Sequence, residues 1–100
     1  MAKPTYPLVT IKSQVNALQA DAFTASAING GQDELGLTLA EMIATINAAA
    51  ESDCLKTMPS VTIVGALQDV YHLSTPYADV AYTKFCLHPQ SKVVVSFKRK

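Results

Sequence analysis

AYTKFCLHPQSKVVVSFKRK, residues 81–100, decides the fold. Two runs rich in β-branched and aromatic residues flank a loop. That loop lies within His88-Pro-Gln-Ser-Lys92, because Pro89 has no amide to give to a central ladder. In the last run Val93, Val95 and Phe97 share one face. In the run before it Phe85 and Leu87 share a face, with Thr83 behind them. A sheet with one buried face needs these two sets to coincide, since a slip of one residue turns every side chain over. The pairs are therefore Leu87 with Val93, Phe85 with Val95 and Thr83 with Phe97, joined by a five-residue loop. The same register sets Lys84 opposite Ser96 and Tyr82 opposite Lys98, with directly opposed side chains ~5 Å apart. Lys98 then sits in the sheet, while Arg99 and Lys100 read as a solubilising tail.

Working outward, the second half of the chain keeps a strand-like period after Pro59. Strands are expected near 61–64, 66–72, 79–87 and 92–98. The first half reads as helix. Ile11, Val15 and Leu18 recur at helical spacing after Thr10, which is taken as the N-cap. A second helix is expected to begin near Thr24 and to break at Gly30-Gly31. A third starts at the capping box Thr38-Leu-Ala-Glu41. It carries Leu39, Met42, Ile43 and Ile46 on one face, and Ala48, Ala49 and Ala50 extend it. Gly36 is the turn between the second and third helices. Helices first and strands after give an α+β fold, with N-terminal helices on one face of a C-terminal antiparallel sheet.

A chain of 100 residues with 49% apolar content is one domain with a core of its own. It shows neither internal repeats nor a linker. No apolar segment follows Met1 as a secretory leader would, and no run approaches the ~20 residues that span a bilayer. A cytoplasmic protein is expected, with Cys54 and Cys86 as reduced, core or half-buried thiols. Cys54, Cys86, His72 and His88 are too scattered for a metal site, so no metal or other cofactor is expected. The formal net charge of zero hides a segregation: residues 1–53 carry a balance of −4 and residues 54–100 a balance of +4. Such asymmetry points to a polyanionic partner. Gln68 alternates away from Leu67 and can share the polar face with Tyr82, Lys84 and Lys98. Lys56, beside Met58, stands where helices give way to sheet. His72 closes the QDVY run near the same face, and His88 belongs to the hairpin loop.

These residues fall in a series of short words: SQV at 13–15, DELGL at 33–37, ESD at 51–53, K-x-M at 56–58, QDVY at 68–71, AYTKF at 81–85 and VVSFK at 94–98. In order and spacing the series resembles the MqsR-type mRNA interferases, toxins of bacterial type II toxin–antitoxin pairs. The resemblance implies a RelE-like fold and metal-independent cleavage of single-stranded mRNA at short GC-containing sequences, with arrest of translation. It also implies a cognate antitoxin that is a DNA-binding repressor. The family's active-site positions fall on Lys56, Gln68, Tyr82 and Lys98, with Lys84, Met58, His72 and Arg99 as candidate substrate contacts around them. The lysines would hold phosphate oxygens. Tyr82 would join in proton transfer, stack on a base or bond the phosphate. Gln68 would orient the 2′-OH or read a base edge. The chain departs from the pattern at Leu67, where a related toxin has an aromatic residue, in its lower overall basicity, and in the loop before Tyr82. A basic face of this kind also suits a non-catalytic RNA- or ribosome-binding module, which would bind RNA without cutting it. It suits a pure interaction protein as well, which would show no RNA affinity.

Overall fold

The computed structural model describes residues 4–60, 65–87 and 93–100. Three helices precede a four-stranded antiparallel sheet whose strands lie in sequence order. Helix α1 spans Leu8–Leu18 and buries Leu8, Ile11 and Val15, one stripe at helical spacing. Its N-cap is Pro7, not Thr10. The Pro7 carbonyl already accepts from the amides of Thr10 (3.0 Å) and Ile11 (3.2 Å), so Thr10 lies inside the first turn. Burial of Leu8 draws the helix start forward.

Helix α2 spans Ala25–Asn29 and starts as expected, with the Thr24 hydroxyl accepting from the Ala27 amide at 3.0 Å. It does not break at the glycine pair. It widens into a π turn over Gly30–Glu34. The glycines serve close approach: a Cβ on Gly30 would stand 2.6 Å from the Phe97 carbonyl oxygen, and one on Gly31 2.4 Å from the Met42 sulfur. Gly36, at φ +66°, makes the turn into α3, Leu39–Asn47. Both capping-box bonds form there: Thr38 N–H to Glu41 Oε1 at 2.9 Å and Glu41 N–H to Thr38 Oγ1 at 3.2 Å. The bond from Thr38 N–H, with one from the Tyr77 hydroxyl, holds the Glu41 carboxyl below its ordinary pKa. The alanines do not extend α3. Lys12 closes that end: its ammonium donates to Asn47 O (2.9 Å), the last carbonyl of α3, and to Ala49 O (2.6 Å) just beyond it, a cation where the helix dipole favours one.

Strand β1, Cys54–Pro59, falls where no strand was expected; the one anticipated at 61–64 lies outside the described residues. Strands β2 (Leu67–Ser74), β3 (Val80–Leu87) and β4 (Val93–Arg99) follow the expectation closely. All five expected cross-strand pairs are present, from Leu87↔Val93 to Tyr82↔Lys98. Tyr71, Leu73, Ala81, Phe85, Val93, Val95 and Phe97 face the helices and complete the core. Tyr71 meets Phe85 edge-on at 5.2 Å, and Phe23 meets Phe97 at 6.4 Å. Each large side chain of this layer contributes about 1.5–3 kcal/mol by leaving water.

The free edge of β4 is sealed by the helical half. Gln14 Oε1 accepts from Val93 N–H at 2.8 Å, Thr24 N–H donates to Val95 O at 3.1 Å, and Glu34 Oε1 accepts from Arg99 N–H at 3.1 Å. Nor are Arg99 and Lys100 a tail. Arg99 pairs with Ala81, its guanidinium reaches Asp79 and the Glu34 carbonyl, and Lys100 N–H donates to Val80 O. Because a methyl group at residue 30 would press on the Phe97 carbonyl, Gly30→Ala should lower the unfolding free energy by about 1–3 kcal/mol. Urea denaturation would read this as a reduced midpoint. Thr38→Ala, which removes only a cap, should cost about 1 kcal/mol.

Candidate functional site

Alternation divides every strand between the helix-packed face and the opposite one. On the opposite face the register aligns Lys56, Val70, Lys84 and Ser96 in one row across the sheet, and His72, Tyr82 and Lys98 in the next. Tyr82 is the centre of the second row. The His72 ring lies 5.6 Å from it, Lys98 Nζ lies 5.6 Å from its centroid and Lys84 Nζ 5.9 Å. An ammonium at this range from an aromatic ring is held by about 0.5–1 kcal/mol at an exposed site. The arrangement therefore gathers positive charge around a phenol, and among the described residues neither lysine is in an ion pair.

Tyr82, Lys98, Lys84 and His72 thus come together. Lys56 shares their face but stands on edge strand β1, about 10 Å from Lys84 and about 14 Å from the β4 strand at strand spacing. Lys56 and Lys98 flank the face from its two edges. Gln68 lies opposite Met58 and is buried, 3% exposed, and its Nε2 has no hydrogen-bond partner among the described residues. Met58 is half-buried beside it. Arg99 belongs to the other face by parity, with its guanidinium engaged by Asp79 and Glu34. Cys86 lies on the site side, two residues from Lys84, while Cys54 packs in the core; both are free, buried thiols. Burial raises the Cys54 thiol above its ordinary pKa.

Two features were missed in the sequence. The first is Asp69, 1% exposed and directed to the helix side. It accepts from Thr5 N–H and Tyr6 N–H, both at 2.9 Å, and from the Thr57 hydroxyl at 2.6 Å. It ties β1 to β2 and straps residues 5–6 behind Gln68. Its signal was present: an acid at the same parity as Tyr71 and Leu73 must be buried, and a buried carboxylate needs donors. The second is a cleft of about 270 Å³ between the α2–π segment and the β3–β4 surface. Thr24, Ser26, Ala27, Gly30 and Glu34 line one wall, and Tyr82, Lys84, Ser96 and Lys98 the other. No local pattern announces it, because its walls come from segments far apart in the chain.

A protein-family model described as motility quorum-sensing regulator, toxin of MqsA, matches residues 3–99. The chain belongs to the MqsR toxin family. The match takes in all three helices, all four strands and every site-face residue named above. The family is one half of a toxin–antitoxin pair, with MqsA as the antitoxin partner. No curated protein matches the chain significantly. Among the described residues no helix is long and apolar enough to cross a membrane.

Asp69→Ala would leave two backbone amides and a hydroxyl without their acceptor. It should cost about 3 kcal/mol of stability in urea denaturation, since hydrogen bonds to charged groups are worth about 1.5–3 kcal/mol.

Proposed function

We propose that this toxin is a metal-independent endoribonuclease that cuts single-stranded mRNA in the cytoplasm and thereby arrests translation until its antitoxin, itself a DNA-binding repressor, neutralises it. The observation that carries this reading is the cluster of Lys84, Lys98 and His72 around Tyr82. RNA brings its own nucleophile. In the reaction the 2′-oxygen forms a bond to phosphorus, the bond from phosphorus to the 5′-oxygen breaks, the 2′-OH proton is given up and the leaving 5′-oxygen gains one. The products are a 2′,3′-cyclic phosphate and a 5′-OH.

The protein then has two tasks: to align the 2′-oxygen with the breaking bond, and to meet the charge that develops on the phosphoryl oxygens. Lys84 and Lys98 provide fixed charge on one side, and Lys56 provides it from the opposite edge. Tyr82, set between cations, is placed to exchange a proton or to bond a phosphoryl oxygen. The Tyr82 and His72 rings together offer a stacking surface for a base, a role that Leu67 cannot supply. Gln68 carries a buried donor with no partner among the described residues, and a 2′-OH or base edge would satisfy it. Met58 borders Gln68 on the β1 side.

A defined single-stranded RNA incubated in EDTA should be cut to fragments ending in cyclic phosphate. Lys56→Ala, Tyr82→Ala and Lys98→Ala should each lower the cleavage rate at least about 100-fold while unfolding cooperatively near the parent midpoint. Salt-dependent RNA binding without cuts would replace this reading with that of an RNA-holding module. Full cleavage by folded Lys56→Ala and Tyr82→Ala would remove those residues from the site.

A further inference from the structure

Lys98 is the outermost cation of the cluster, and packing does little to hold it. Phe97 is the last buried residue of β4; Lys98 and Arg99 are exposed. Strand β4 also lies at the end of the strand order. Yet Lys98 Nζ stands 5.6 Å from the Tyr82 centroid. The support comes from the next residue. At the free edge of β4, Arg99 N–H donates to Glu34 Oε1 at 3.1 Å. The Arg99 guanidinium donates to the Glu34 main-chain carbonyl, and to Asp79 Oδ2 at 3.4 Å. Both partners are themselves held. Asp79 N–H donates to Thr75 Oγ1 at 3.1 Å and Thr75 N–H to Asp79 O at 2.9 Å, which closes the loop before β3. Glu34 ends the π turn that begins at Gly30, and a Cβ on Gly30 would stand 3.3 Å from the Lys98 Cα. Arg99 therefore bridges two fixed segments across the end of β4, and Lys98 lies between that bridge and Phe97.

Two roles are open to Arg99: a contact to RNA, or a support for Lys98. The geometry favours the second. By parity Arg99 belongs to the face opposite Tyr82, and its guanidinium already serves two acceptors. A planar fork of donors suits such a bridge, where a lysine ammonium would offer one point of charge. An exposed ion pair of this kind adds little to stability, so stabilisation accounts poorly for a bridge anchored at both ends. Placement accounts for it better, because a reacting group displaced by about 1 Å can lose about 100-fold in rate. We propose that Arg99, clamped by Glu34 and Asp79, is a positioning residue that fixes Lys98 beside Tyr82 and makes no contact to RNA. This deepens the ribonuclease reading and rests on it, with Lys98 as the phosphate contact that the clamp serves.

The test separates the rate of cleavage from the hold on RNA. Cleavage of a defined single-stranded RNA in EDTA gives kcat and KM. Arg99→Ala and Glu34→Ala should each lower kcat about tenfold or more, with KM within about twofold of the parent value. Glu34→Gln keeps an oxygen for Arg99 N–H and should bring kcat back to within about threefold of the parent. Affinity is read separately, by fluorescence anisotropy of a labelled 2′-O-methyl oligonucleotide, which 2′-OH attack cannot cut, over a range of salt concentrations. Lys98→Ala should reduce the slope of log affinity against log salt by about one, the mark of a lost phosphate contact, and Arg99→Ala should leave that slope unchanged. Urea midpoints identify the folded variants, and Arg99→Ala, at an exposed position, decides the matter if Glu34→Ala unfolds. A slope reduced by about one in Arg99→Ala would make Arg99 an RNA contact and overturn the clamp. So would parent kcat in folded Arg99→Ala, or equal losses in Glu34→Gln and Glu34→Ala. Each of these outcomes leaves the ribonuclease reading standing. Absence of cleavage by the intact protein would overturn both.

Discussion

Phe85, Val95 and Phe97 must all face the helices, and this requirement places the candidate functional face. Each is essentially fully buried, and a side-chain period of two leaves one register in which they coincide. In that register Tyr82, Lys84 and Lys98 have nowhere to go but the opposite surface. Core packing therefore assembles the cationic cluster as a by-product. No attraction among the lysines is needed, and their mutual repulsion is outweighed by several kcal/mol of apolar burial on the other side.

The two edges of the sheet are treated differently, and the difference builds the cleft. Edge strand β1 carries Lys56 and Pro59, residues that discourage further pairing. The edge at β4 is closed by polar groups from the helical half: Gln14, the Thr24 backbone and Glu34. To reach that edge, the α2–π segment comes so near β4 that only glycine fits at residue 30. The same approach overhangs the outer face and encloses space beside Tyr82. Segregation of charge along the chain thereby becomes juxtaposition in space, with an acid from the anionic half facing lysines of the cationic half.

The hairpin was legible because its two strands are long, apolar on one face and joined directly, so one register satisfies both. Thr38 and Glu41 were legible because a capping box is local. Strand β1 was not, because only Cys54 of its residues is buried and Leu55 is 51% exposed, which leaves no alternation to read. The glycine pair was misread as a helix breaker because its cause, the nearness of Phe97 and Met42, is tertiary. Arg99 looked like a tail for the same reason: its partners Asp79 and Glu34 come from distant segments. Of the site, parity placed Tyr82 beside Lys98 and the polar face beside Gln68. It could not show the helix wall opposite them.

The QDVY segment shows how closely site and scaffold are joined. Gln68 and Val70 belong to the outer face by parity, Asp69 and Tyr71 to the core face. Asp69 fixes the strand from behind through Thr5, Tyr6 and Thr57. The Tyr71 hydroxyl is buried without a hydrogen-bond partner among the described residues, and burial, reinforced by Cys54 and nearby carboxylates, drives its pKa well above the ordinary range, so it stays neutral. A buried donor such as Gln68 Nε2, without a partner among the described residues, stays unpaired only on a strand that cannot shift to pair it elsewhere. The Asp69 clamp supplies that rigidity. Under the proposed ribonuclease reading, damage at Asp69 mimics damage at Gln68 in an activity measurement, and stability separates the two, because the carboxylate holds three donors whereas among the described residues the amide nitrogen has no partner.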